Sequence, residues 1–247
     1  MQILLTIAYD GTAYAGWQRQ QNAIAVQQKL EEALTALLCR PVTVAAASRT
    51  DAGVHALGQR ASFFADDLKV PLVKLPVVLS GLLPADISVT DAIYVPDDFH
   101  PQFHTKSKTY AYRVYSAPVP NPLLSRYSAF IPQPLNIEVM EKAARQFIGQ
   151  HDFAAFCAAG SSAKTTVREI YDCKICKQDE GLLTLRVTGN GFLYNMVRII
   201  TGTVVYVGLG KISPESVAGI IASRDRKLAG KTMPPEGLVL ERVEYIT

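Results

Sequence analysis

Hydrophobic periodicity in this chain changes from two to 3.6 and back in a fixed order, and that order narrows the fold more than any other feature. QILLTIAYD alternates like a strand, and AVQQKLEEALTALLCR then places Val26, Leu30, Ala33, Leu34, Leu37 and Leu38 on one helical face. VTVAAAS and QRASFFA read as two further strands. Residues 70–83 read as a helix entered or broken at Pro71 and Pro76, and DISVTDAIYV as a closing strand. The first half is therefore βαββαβ. The second half follows the same order, opening with the strand KTYAYRVYS and a helix in NIEVMEKAARQFIG, where Ile137, Met140, Ala144, Phe147 and Ile148 share a face. Two strands, VREIYDCKICKQ and LLTLRVTGN, meet across the turn sequence QDEG. Helices from Phe192 to Val207 and from Pro214 to Ser223 precede a last strand, GLVLERVEYI.

That order predicts an α+β chain of two tandem ferredoxin-like halves, each an antiparallel sheet with helices on one face, and a central cleft between them. The expected limits are residues 1–103 and 104–247, with the junction near FHPQFHTKS. No residue-level repeat relates the halves. Such sheets permit RNA binding without proving it.

Composition excludes several classes. With 49% hydrophobic and 19% charged residues the chain reads as globular, and no apolar run reaches the roughly 18 residues a membrane span needs. MQILLTIAYDGT reads as a strand rather than a secretion signal, so a cytoplasmic protein is expected, with no membrane partner. Cys173 and Cys176 form a CxxC, but Cys39 and Cys157 do not make a second pair with zinc spacing; free thiols and no metal are expected. The net charge of +3 hides an asymmetry. Residues 1–103 carry 7 Lys and Arg against 10 Asp and Glu, whereas residues 104–247 carry 18 against 12. A second half this basic points toward a polyanion, although any one of its cations is as readily a solvated surface residue.

SRTDAGVHALGQ, residues 48–59, stands apart. Arg49, Thr50, Asp51, Gly53 and His55 crowd one loop between strands, where functional residues are commonly mounted. Read alone, Asp51-Ala52-Gly53 closes a turn, Arg49 pairs with Asp51, and His55 is a satisfied turn or core histidine. Arg198 is the other unusual residue. It sits among Met196, Val197, Ile199 and Ile200, and a buried Arg needs a partner, for which Asp51 is the best candidate. Tyr110 and Tyr112 alternate along one strand, so at least one of them belongs to the core.

SRTDAGVHALGQ resembles the RTDAGVHA signature of the tRNA pseudouridine synthases of the TruA family. Four more segments resemble that family in the same order: YDGTAYAGWQRQQNAIAVQQKLEEAL with Gly16, Trp17 and Gln18, FHPQFHTKSKTYAYRVY, GFLYNMVRIITGTVVYVGLGK, and PPEGLVLERVEY. The resemblance spans Ala8 to Tyr245. It implies that Asp51 is the catalytic aspartate, that Tyr110 lies at the target base, that Arg198 lies beside the aspartate, and that Arg49 handles the flipped nucleotide. It also implies conversion of uridine to pseudouridine at positions 38, 39 and 40 of the tRNA anticodon stem-loop, by a homodimer whose RNA spans both subunits, without metal or organic cofactor. Two positions depart from the family's pattern. Ser48 stands where glycine or alanine is usual, and Gln102 where a basic residue is usual, which puts a phosphate contact there in question.

The residue types suit that chemistry. The C1′–N1 glycosidic bond must break, the uracil turn, and a C1′–C5 bond form, with no net redox change or hydrolysis. An ionised Asp51 can add to the base, attack C1′ or take a proton from C2′, and the sequence leaves these open. Arg198 opposes the neutralising effect of burial on such a carboxylate. Tyr110 offers a stacking face, and Arg49 a side chain to fill the space a flipped base vacates. Lys106, Lys108, Arg113, Lys164, Arg168 and the cluster from Arg224 to Lys227 are candidate phosphate contacts. Gly160 to Thr166, GSSAKTT, lacks Walker spacing, which argues against nucleotide hydrolysis. Two other readings compete. An RNA-binding module without catalysis gives no reason for a carboxylate facing a polyanion, and a glycosidase wants a second carboxylate that this loop lacks.

Overall fold

In the computed structural model, which describes residues 1–66, 68–178 and 181–246, QILLTIAY forms strand β1 (Gln2–Tyr9). Ile3, Leu4 and Leu5 are all buried, so this strand is covered on both faces and reads as a continuous apolar run. Antiparallel neighbours flank it, β3 (His55–Phe64) on one side and β4 (Ile87–Val95) on the other. Helix α1 (Val26–Leu38) buries Val26, Leu30, Ala33 and Leu34, while Leu37 and Leu38 are half-buried at its end. Cys39 stops it in the left-handed region, at φ 54°. Helix α2 (Leu75–Leu82) is entered through a short 3-10 turn and carries Pro76 in its first turn, where the missing N–H costs nothing.

Two expectations change in this part of the chain. VTVAAAS was expected to be a full strand, but only β2 (Ala45–Ala46) joins the sheet, against Ser62 and Ala61. Val42 and Val44 are buried as the alternation requires. Their N–H groups, however, donate to Thr35 Oγ1 and Glu31 Oε1 of α1, each at 3.2 Å, and so are unavailable to a ladder. Conversely, β3 begins at His55, four residues before the expected Gln59. Its first residues pair with Tyr9 on one side and with the last strand, β10 (Leu238–Tyr245), on the other.

The chain falls into two compact units: Met1–Lys106 together with the segment from Val239, and Ser107–Leu238. The last strand thus belongs with the first unit, where it runs parallel to β3 through Val239–His55 and Leu240–Ala56. Strand β5 (Thr105–Ser116) enters the second unit at Ser107 and there pairs with β9 (Leu182–Gly189), β9 with β8 (Val167–Lys177), and β8 with β7 (Gly149–Asp152), all antiparallel. A short β6 (Ala129–Ile131) runs parallel to β5. Neither β6 nor β7 was legible, being too short for a period-two pattern. Part of the QDEG turn, Asp179 and Glu180, lies outside the described residues.

Helix α3 (Ile137–Arg145) is capped by Asn136, whose Oδ1 accepts from Val139 N, and it packs against β8 and α4 (Met196–Gly208). α4 starts four residues later than the expected Phe192. Asn195, at φ 59°, cannot lie inside a helix and marks its entry. Helix α5 (Ser216–Ser223) follows. The molecule is a mixed α+β protein.

Candidate active site

The loop between β2 and β3 is fastened on every side by the first unit. Trp17 N donates to Thr50 O (3.0 Å), Gly53 N to Tyr14 O (3.3 Å), and Val54 N to Asp51 O (3.1 Å). Gln59 Nε2 donates to Ser48 O at 2.8 Å, and Tyr9 Oη lies 2.8 Å from Thr50 Oγ1. Gly53 takes φ 77°, the turn conformation expected of it. Thr50 is buried, Asp51 half-buried and Arg49 exposed. His55 is buried. Gly11 N donates to its Nδ1 at 3.0 Å, and Asp10 Oδ1 lies 3.1 Å from the same atom. It ties the downstream end of the loop to the Asp10 turn.

Behind this loop lies a polar network that sequence reasoning missed. Trp17 is almost wholly buried, and its carbonyl accepts from Gln27 N at 3.0 Å. Gln27 Oε1 accepts from Gln18 Nε2 (2.7 Å) and from Arg19 N (3.0 Å). Gln27 Nε2 donates to Glu31 Oε1 at 2.9 Å, and Glu31 Oε2 pairs with Arg19 Nη1 at 2.9 Å. Glu31 is only 4% exposed, yet both its oxygens are occupied, as a buried carboxylate requires. A signal was present: Gln27 and Glu31 lie four residues apart beside the apolar stripe of α1, where polar residues have no reason to be unless they bond inward.

The second unit holds Tyr110 and Arg198. Tyr110 is buried on β5, with Phe192 edge-on at 5.2 Å between centroids. Tyr112, fully buried, donates from its hydroxyl to Pro234 O at 2.6 Å, so it is the core tyrosine of the pair. Burial, together with the Glu236 carboxylate, holds its phenol well above the usual range, while Arg198 opposes that shift. Arg198 sits in the first turn of α4. Its Nε donates to Met233 O and its Nη1 to Asn195 Oδ1, both at 2.6 Å. The segment from Met233 to Gly237 therefore braces Arg198 and Tyr112 at once. Arg49 and Asp51 stand on one loop of the first unit, and Tyr110 and Arg198 in the second.

Other candidate cations divide into kinds. Arg226 is spent internally, donating to Gly230 O (2.9 Å) and Thr232 Oγ1 (3.0 Å). Arg224 pairs with Asp152 at 2.9 Å. Lys106, Lys164 and Lys227 are exposed, while Lys108, Arg113 and Arg168 are half-buried. Cys173 and Cys176 both lie on β8, and all four cysteines are free; burial raises the Cys173 thiol far above its ordinary value. Among the described residues no group of three or more His, Cys, Asp or Glu is placed to hold a metal, and no helix is long and apolar enough to cross a membrane.

Comparison with known proteins bears on what this arrangement does. A family model described as tRNA pseudouridine synthase matches residues 5–104 and 143–246. A tRNA pseudouridine synthase A of Ruminiclostridium cellulolyticum is 46% identical over 244 residues, covering 99% of each chain. Proteins of the same description are similar in Caldicellulosiruptor bescii, with 45% identity over 98% of this chain and 99% of that one, and in Geotalea uraniireducens, with 46% identity over 99% of each.

Proposed function

From the premise that this chain belongs to the TruA family of tRNA pseudouridine synthases and isomerises uridine in tRNA, we propose that Asp51 performs the reaction, at positions 38, 39 and 40 of the anticodon stem-loop. One observation carries the choice of Asp51. Its loop is tied by backbone bonds at Thr50, Asp51 and Gly53 and by side-chain bonds at Ser48 and Thr50, which leaves a half-buried carboxylate on a rigid mount. Rigid placement is what an attack or proton removal at a sugar carbon needs, because a reacting group must be held in geometry before the bond breaks.

The other roles follow from side-chain chemistry. Tyr110 takes the target uracil, Arg198 steadies the charge of Asp51 during the reaction, and Arg49, exposed beside Asp51, occupies the helix space left by the flipped nucleotide. Met233 O and Asn195 Oδ1 hold the guanidinium of Arg198 in one plane, which supports a positioning task rather than a mobile phosphate contact. The strand–helix order of both parts of the chain supports a tandem ferredoxin-like ancestry with a cleft for RNA. The same reading includes a homodimer acting in the cytoplasm on the anticodon arm, needing no metal or organic cofactor.

Tritium release from 5-labelled uridine in tRNA tests the assignment. Asp51→Asn keeps the shape of the side chain and removes its charge; it should release almost no label while binding tRNA as tightly as the wild type. Full turnover by this variant would refute the role of Asp51. Substrates with uridine retained only at 38, 39 or 40 report the position separately.

A further inference from the structure

Arg226 is a cation that the reaction above does not use. Half-buried, it turns back onto the chain that follows it. Its Nη1 donates to Gly230 O (2.9 Å) and, at longer range, to Ala229 O (3.4 Å), and its Nη2 donates to Thr232 Oγ1 (3.0 Å). All three acceptors are neutral oxygens, so these contacts are not ion pairs. What a guanidinium supplies here is shape, a planar fork that fixes its acceptors relative to one another. Residues 224–234 lie in neither helix nor strand, so side-chain bonds rather than a ladder set their course.

The segment that Arg226 holds lies along α4. Gly230 N donates to Thr203 Oγ1 at 2.8 Å, and that hydroxyl donates in turn to Ile199 O at 2.9 Å. Backbone meets backbone at this point. A Cβ on Gly202 would run into Lys231 O, and one on Gly230 into the carbonyl of Gly202 and the N of Thr203. One turn earlier on the same face of α4, Met233 N donates to Arg198 O (3.3 Å), while Arg198 Nε donates to Met233 O (2.6 Å). The strap from Ala229 to Met233 is therefore pinned by Arg226, by Gly202 with Thr203, and by Arg198. Met233 is fully buried at its end, so the carbonyl that orients Arg198 is set by the course of the strap.

We propose that Arg226 is a positioning residue for Arg198. By fixing residues 229–232 it places Met233 O, and Met233 O aims the Arg198 guanidinium. The proposal rests on the reading that Arg198 steadies the charge of Asp51 during the reaction. Contacts between a guanidinium and a carboxylate are directional, so a small displacement of the strap turns the fork away from its task. The effect of Arg226 on the reaction passes through Arg198 alone.

Single-turnover pseudouridine formation, with tRNA binding measured beside it, tests this in Arg226→Met, Arg226→Lys and Thr232→Val. Each is made in the wild type and in Arg198→Lys. The single-turnover rate constant is independent of how much of the protein is folded, whereas the amplitude is not, so a merely structural loss moves only the amplitude. Arg226→Met should lower the rate constant about tenfold and leave the Kd for tRNA within about twofold. Arg226→Lys, which keeps the charge and loses the fork, should recover little of that loss. Thr232→Val removes one bond and keeps the side-chain shape; it should slow the reaction about threefold, and it decides the question if Arg226→Met does not fold. In the Arg198→Lys background none of the three should slow the reaction further, because the residue they act through is already gone. Losses that multiply across the two sites would overturn the proposal, as would a raised Kd with an unchanged rate constant, which would make Arg226 a phosphate contact. The underlying reading fails separately. A wild-type rate constant in Arg198→Lys alone would remove Arg198 from the chemistry, whereas a slow Arg198→Lys beside a wild-type rate in Arg226→Met and Thr232→Val would leave that reading standing and refute only the role of Arg226.

Discussion

Gly16 shows how much of the candidate site is decided by single atoms. It adopts φ 90°, and a Cβ there would stand 2.4 Å from Thr50 O and 3.0 Å from the carbonyl carbon of Asp51. Both obstacles are backbone, so the loop itself would have to move. Gly16→Ala should therefore cost about 1–3 kcal/mol of stability and also lower kcat in the molecules that fold. Urea unfolding beside tritium release at a temperature where the variant is fully folded separates the two effects; unchanged kcat would mean that the loop tolerates displacement. The Gly-Trp-Gln core that the family resemblance singled out thus has a physical purpose. Gly16 allows close approach, Trp17 binds Thr50, and Gln18 closes the network on Gln27. His55 gains a structural place that its chemistry alone did not specify, since a histidine in a loop suits catalysis and anchoring equally.

At the scale of elements, periodicity located most strands and helices, but backbone donors decided their ends. Val42 and Val44 have the alternation of a strand and lack its ladder because α1 side chains take their N–H groups, a long-range fact no local pattern contains. The entry to α4 is similar. Phe192 to Val207 is mostly apolar, yet Asn195 delays the helix and in doing so turns its amide oxygen onto Arg198. Arg198→Lys tests that arrangement. Lysine keeps the charge but cannot hold Met233 O and Asn195 Oδ1 in one plane, so kcat should drop at least about tenfold while stability changes by no more than about 1 kcal/mol. Thermal unfolding and single-turnover rates check it, and a variant that merely melts would make Arg198 a structural residue. Asp51, Tyr110, Arg49 and Arg198 were named from motifs; Gln27, Glu31 and Asn195 were not, because the bonds of Glu31 to Arg19 and Val44 and the delayed entry of α4 at Asn195 belong to the folded chain and not to a local pattern.

For the whole molecule, charge is the property that composition understated. A net +3 is modest, yet the excess of cations lies entirely in residues 104–247. Affinity for tRNA should fall steeply with salt as phosphate contacts release counterions, and neutralising exposed Lys106, Lys164 and Lys227 together should flatten the slope by about two or more. Filter binding across a salt series measures this, and an affinity indifferent to salt would contradict a polyanion-facing second half. Sequence order also suggested a plain division into halves, which the last strand does not respect. β10, far from β3 in sequence, lies with the first unit, beside His55.

That placement has a consequence for timing. A ribosome synthesises the residues from His55 to Val239 before the parallel partner of β3 exists, an interval on the order of ten seconds or more at ordinary elongation rates. Until then the strand that anchors the Asp51 loop has an open edge at its start, and the nascent chain carries the Asp51 carboxylate on an unfinished mount. Synthesis of β10, rather than completion of the N-terminal sequence, is the event that finishes the mount of the loop.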